Sequence, residues 1–115
     1  MGEKIKQFEE FRQKMNEKIL AGENLEIKRF FALDKNAYKD GALSGETKEL
    51  LGLVASMVLR CNDCINYHIL RCAELGITDA QLFEAFNVAL VVGGSIVIPH
   101  LRRAVAFLEE IRTSD

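Results

Sequence analysis

Between Glu3 and Leu20 the apolar residues Ile5, Phe8, Phe11, Met15 and Ile19 recur at steps of three and four. That is the period of one face of a helix. Lys4, Glu9, Glu10, Arg12, Lys14 and Glu17 fill the other faces, and Gly22 is a natural stop. A terminal amphipathic helix of this kind either docks on the core or packs on another subunit. The pattern weakens from Asn24 to Tyr38, where Leu25, Ile27, Phe30, Phe31 and Leu33 predict a short helix. Phe30 and Phe31 are expected in the core, with the wall of a substrate entrance as the alternative. Lys39, Asp40, Gly41 and Gly45 then mark a loop.

Ser44 can cap a third helix running to about Leu59, with Glu46 in its first turn. Leu50, Leu51, Leu53, Val54, Met57 and Val58 cover a wide arc, so most of its surface should be buried. Glu49 shares a face with Leu53 and Met57 at spacings of four, which turns its carboxylate inward. A fourth helix follows at once, capped by Asn62 or Asp63 and ended by Gly76. Thr78 and Gln81 form a capping box for the fifth, with Ile77 and Leu82 placed as its hydrophobic staple. Leu82, Phe83, Phe86, Ala89, Leu90 and Val92 predict a mostly buried helix that breaks at Gly93 and Gly94. Ser95 can open the last helix, with Pro99 near its first turn. No segment alternates as a strand. The expected fold is all-α, with five or six helices in one domain over 1–115 and its informative core at 44–94.

Composition narrows the function. The chain has 115 residues, 49% hydrophobic and 28% charged, with a net charge of −2. That is a globular balance with no basic excess, which speaks against nucleic acid as a partner. The longest uncharged run, Ala85 to Pro99, falls short of the ~20 residues that cross a bilayer, so no membrane partner is expected. MGEKIKQFEE carries charge from its third residue and lacks the apolar stretch of a signal peptide. A cytoplasmic location is therefore expected, where a C-x-x-C is more often catalytic, redox-active or metal-binding than a structural staple.

All three cysteines lie in ELLGLVASMVLRCNDCINYHILRC, from Glu49 to Cys72. Cys61, Cys64 and His68 form C-x-x-C-x-x-x-H, and on a helix they share one face. A helix N-terminus favours a thiolate, each thiol can hydrogen-bond the other, and His68 can take a proton from Cys64. A carboxylate bound to His68 would fix its tautomer, and Glu49 is placed to supply one. A thiolate of this kind attacks a peroxide to give a sulfenic acid, which the second cysteine closes to a disulfide. A c-type haem site is excluded because Ile65, not histidine, follows Cys64. Zinc would need a fourth ligand from Glu49, Cys72 or His100. The reading calls for no cofactor and no metal. Cys72 is expected as a reduced core residue, His100 as a surface or cap residue, Tyr67 as packing and Arg60 as solvated.

The stretch ELLGLVASMVLRCNDCINYHILRCAELGITDAQLFEAFNVALVVGG resembles the carboxymuconolactone decarboxylase superfamily in its alkylhydroperoxidase D-like branch. Glu49, Cys61, Cys64, His68, Gly76, Thr78, Gly93 and Gly94 carry the likeness. It implies an all-helical protein that assembles as trimers or hexamers. It also implies hydroperoxide or disulfide reduction with a lipoyl- or thioredoxin-like dithiol reductant. The resemblance makes Cys64 the peroxidatic thiol, Cys61 the more exposed resolving thiol, and Glu49 with His68 a proton relay. Asp63 stands where the well-studied relative has histidine, and its charge should oppose a thiolate at Cys64. The alternatives are a non-enzymatic redox-sensing oligomer and a zinc-binding structural module.

Overall fold

The computed structural model describes residues 2–113. Six α-helices follow one another: α1 (Glu3–Ala21), α2 (Leu25–Ala37), α3 (Gly45–Val58), α4 (Asn62–Glu74), α5 (Asp79–Gly93) and α6 (Ile98–Thr113). A short 3-10 turn, Ser95–Val97, leads into α6. No strand occurs among the described residues, so the all-α expectation holds.

The core lies among α3, α4, α5 and α6. Leu53, Met57, Ile69, Cys72, Leu82, Ala89, Val97 and Ala104 are fully buried there. α4 packs against both α3 and α6, and α3 also packs against α5. Burying one large aliphatic side chain contributes about 1.5–3 kcal/mol, so this cluster is what fixes α4 in place. The capping box at Thr78 and Gln81 forms as predicted. Ile77 and Leu82 are both buried beside it. Arg112 on α6 donates to Asp79 (2.8 Å) and to the Ile77 carbonyl (3.2 Å), tying the end of the chain to the start of α5.

α1 divides along its length. Ile5 is fully buried and Phe8 meets Phe107 edge-on at 5.9 Å between ring centroids. Farther along, Phe11 and Ile19 of the same stripe lie open to solvent. Three burial expectations are corrected. Phe30 is 67% exposed rather than core, because α2 buries no residue at all. Phe31 is half-buried and lines a cavity. Leu51 on α3 and Phe83 and Val92 on α5 are exposed. Their helices bury only the face turned to the four-helix core, and hydrophobicity alone does not say how many faces have partners.

Two turns place the elements of the site. After α3, Cys61 N–H bonds the Ser56 carbonyl and Arg60 N–H bonds the Met57 carbonyl, each at 3.0 Å. This is a Schellman turn with Arg60 in the left-handed region, φ 61°. After α4, Ile77 N–H to Cys72 (3.0 Å) and Gly76 N–H to Ala73 (3.1 Å) repeat the motif, with Gly76 at φ 80°.

Candidate active site

The Schellman turn ends on Cys61, which becomes the N-cap of α4 in place of the expected Asn62 or Asp63. Its Sγ accepts the Cys64 backbone N–H at 3.4 Å. The Cys61 and Cys64 sulfurs are 2.7 Å apart, well beyond the ~2.05 Å of a disulfide, and both are free thiols. Exposure runs opposite to expectation. Cys64 is the exposed thiol and Cys61 the half-buried one, because the cap position tucks Cys61 against the end of α3.

The thiol of Cys64 is not activated at rest. Its pKa is pushed up to about 11, first by burial and then by its hydrogen bond to Cys61, with the charges of Cys61 and Asp63 acting in the same direction. The expected opposition of Asp63 is therefore present. Arg12, reaching in from α1, works the other way.

One turn along α4, His68 is buried beside Glu49, which is 3% exposed. Nδ1 of His68 donates to Oε1 of Glu49 at 2.8 Å. The four-residue spacing of Glu49, Leu53 and Met57 does turn all three inward. Because the carboxylate holds Nδ1–H, Nε2 is left as the basic nitrogen. No hydrogen bond joins His68 to Cys64 among the described residues. The four predicted residues thus form two contacts, a sulfur pair at the start of α4 and a carboxylate–imidazole pair one turn on that joins α4 to Glu49 on α3.

Other residues complete the surroundings. Tyr67 meets the His68 ring edge-on at 5.3 Å, and Tyr38, at the end of α2, lies 5.6 Å from it, centroid to centroid. Burial raises the pKa of both phenols, so they stay neutral and can donate. A Cβ on Gly52 would stand 2.6 Å from the Tyr38 hydroxyl and 2.8 Å from His68 Nε2. Glycine at position 52 is what lets ring and phenol approach α3. A glycine inside a helix, three residues after Glu49, costs about 1 kcal/mol against alanine; that anomaly was the signal available. Tyr38 left none, since it arrives through space from a weakly patterned segment. His100 donates from Nδ1 to Asn62 Oδ1 at 2.8 Å, so it braces the start of α4. Cys72 is fully buried, its pKa raised to about 12 by burial. Among the described residues no three His, Cys, Asp or Glu side chains gather as a metal site.

Residues 27–109 match the carboxymuconolactone decarboxylase family. The chain belongs to that family. Among solved structures, the TM1620 protein of Thermotoga maritima superposes with a TM-score of 0.90 at 61% identity, over 93% of this chain and 94% of that one. A second structure of TM1620 describes it as a carboxymuconolactone decarboxylase family protein with a suggested involvement in antioxidative response (TM-score 0.88, 59% identity, 92% and 90% covered). The family protein lpg0406 of Legionella pneumophila superposes with a TM-score of 0.85 at 26% identity, over 95% of this chain and 97% of that one. An uncharacterised protein of the cox locus of Paracoccus denitrificans is 35% identical over 71% of this chain and 74% of its own length.

Proposed function

We propose that this family member is a thiol-dependent peroxidase of the alkylhydroperoxidase D-like kind, cycling Cys61 and Cys64 between dithiol and disulfide. The observation that carries the reading is the pair of reduced sulfurs 2.7 Å apart at the start of α4, one turn from a buried Glu49–His68 pair. The suggested antioxidative involvement of TM1620 points the same way.

Cys64 attacks, because it is the sulfur open to solvent. Its proton is taken up by His68, leaving the thiolate on Cys64. That sulfur attacks the terminal peroxide oxygen, and the O–O bond breaks. The departing alkoxide takes a proton, and Cys64 becomes a sulfenic acid. Cys61 loses its proton and attacks the Cys64 sulfur, forming the disulfide and expelling hydroxide, which leaves as water. Two thiols thereby supply two electrons and two protons, and ROOH becomes ROH and water. His68, oriented by Glu49, takes and returns protons at Nε2. An external dithiol, lipoyl- or thioredoxin-like, restores the pair by thiol–disulfide exchange.

The test is organic-hydroperoxide turnover with a dithiol reductant. The parent is expected to turn over, and Cys64→Ser, Cys61→Ser and His68→Ala to fall toward the uncatalysed rate. Equal rates in parent and Cys64→Ser would refute the reading. A second reading, attack by Cys61, is favoured by that sulfur's position as acceptor at the helix start. Trapping the sulfenic acid with dimedone separates them: adduct on Cys64 in Cys61→Ser supports the first, and adduct on Cys61 in Cys64→Ser supports the second.

Two further features complete the proposal. The protein works as a homo-oligomer, supported by an apolar surface between α3 and α5 on which Leu51, Val88 and Val92 are exposed, with Leu59 just after α3 (76% exposed). Light scattering after size exclusion should give a mass of three or six chains. It acts in the cytoplasm, where reductants keep such a pair cycling; no described helix is long and apolar enough to cross a membrane.

A further inference from the structure

A cavity of about 990 Å³ lies between α1, α2 and α4, closed at one side by the start of α3. Its floor is the α4 stripe Tyr67, Arg71 and Leu75, and one wall is the α1 stripe Arg12, Asn16 and Leu20. Both run at helical spacing, so the cavity is a trough parallel to α4. Cys64 stands three residues before Tyr67 on α4, outside the lining itself and next to its thiol-side end. At 1.5 Å per residue, Cys64 and Leu75 stand roughly 16 Å apart along the helix.

The two ends differ. Arg12 lies at the thiol end, its guanidinium 4.2 Å over the Tyr67 ring. Arg12 and Tyr38 both line the trough, and both interact electrostatically with Cys64. At the other end, α1 and α2 are joined by three residues, Gly22 to Asn24. Leu20 and Lys28 are therefore held close to that turn, away from the thiols.

The walls also have a sign. Lys28, Lys35, Lys39 and Arg12 line the trough, and none makes an ion pair among the described residues. Of the carboxylates there, Asp40 accepts the Gly45 N–H at 2.6 Å and Glu49 is held by His68. With Arg71, which pairs with Glu74, five cationic side chains line the trough against the three carboxylates Asp34, Asp40 and Glu49, so positive charge is in excess. Leu20, Phe31 and Leu75 supply apolar surface between the charges.

We propose that the trough binds the acyl chain of an anionic organic hydroperoxide, its carboxylate at Lys28 and its peroxide at Cys64. This substrate class rests on the peroxidase reading above. A long chain with a terminal acid and an internal peroxide satisfies all three features: the length, the apolar middle and the excess of positive charge. The redox step is the one already balanced, with the fatty-acid hydroperoxide as ROOH leaving as the hydroxy acid.

The test compares 13-hydroperoxyoctadecadienoate, its methyl ester and cumene hydroperoxide, with decanoate binding followed by calorimetry. Lys28→Gln alters an exposed side chain and should fold normally. We expect kcat/KM for the acid to exceed that for the ester by roughly five- to tenfold, and Lys28→Gln to remove that preference while sparing both neutral substrates. Decanoate should bind the parent and bind Lys28→Gln more weakly. Equal rates for acid and ester, or decanoate binding indifferent to Lys28, would overturn the inference while cumene hydroperoxide turnover left the peroxidase reading standing. Decanoate binding without turnover of any hydroperoxide would do the reverse.

Discussion

The two ends of α4 are built from the same turn and put to different use. Each is flanked by a Schellman motif whose middle residue is left-handed, Arg60 before the helix and Gly76 after it. Glycine adopts that conformation freely, whereas a residue with a Cβ pays about 1–2 kcal/mol. The relaxed turn leads into the buried staple and capping box of α5. The strained one delivers Cys61 to its cap position. Each end also carries a cysteine with a raised pKa. Cys72 is sealed in the core, while Cys64 is open and held protonated partly by its neighbour. One end of the helix secures the fold and the other tolerates strain to present chemistry.

The largest expected effect lies in thiol access. Iodoacetamide should label the Cys61–Cys64 pair in the native protein at least about a hundredfold faster than Cys72, whose labelling must wait for opening of the core. Peptide mass spectrometry reads this directly, and comparable labelling of all three would erase the contrast. Next, Gly52→Ala drives a methyl group against Tyr38 and His68. It should cost about 1–3 kcal/mol in chemical denaturation and lower turnover by displacing the imidazole. An unchanged unfolding midpoint would mean the approach of ring to α3 is not tight.

The turns themselves should answer with opposite signs. Gly76→Ala should destabilise by about 1 kcal/mol and Arg60→Gly should stabilise by a similar amount. Equal signs would show that the two motifs do not differ in strain. A last effect concerns alkaline pH. Cys72 titrates near 9 when free and about 12 in the fold. Above pH 9 the unfolded chain releases a proton that the native chain retains, so unfolding becomes easier as pH rises toward 12. The loss in urea midpoint between pH 8 and pH 10.5 should be larger in the parent than in Cys72→Ala, with Cys64→Ser in between because the pKa of that thiol is raised less.

Much of this arrangement is legible in the residues. Helical periods give five or six helices, and the Glu49–Leu53–Met57 spacing turns the carboxylate inward before any partner for it is known. The thiol details are less legible. Asparagine and aspartate outrank cysteine as caps, but the α3 turn dictates which residue arrives at that position. Once Cys61 sits there, exposure and protonation of the pair follow from the turn and not from the motif. Phe30 misleads because hydrophobicity reports a tendency to be covered and says nothing about what covers it. Tyr38 and Arg12 reach the site from distant stretches of chain, beyond what any local spacing encodes.

Cys61 serves at once as an acceptor for a helix backbone and as one half of an oxidisable pair. A disulfide would claim the same sulfur that receives the Cys64 N–H, so the beginning of α4 is different in the two oxidation states. Any change that favours the reduced helix start over the oxidised one raises the reduction potential, by about 30 mV for every 1.4 kcal/mol. An electrode or a glutathione buffer would then measure how well α4 begins. Substitutions in the α3–α4 turn that never touch a thiol should register there as shifts in millivolts.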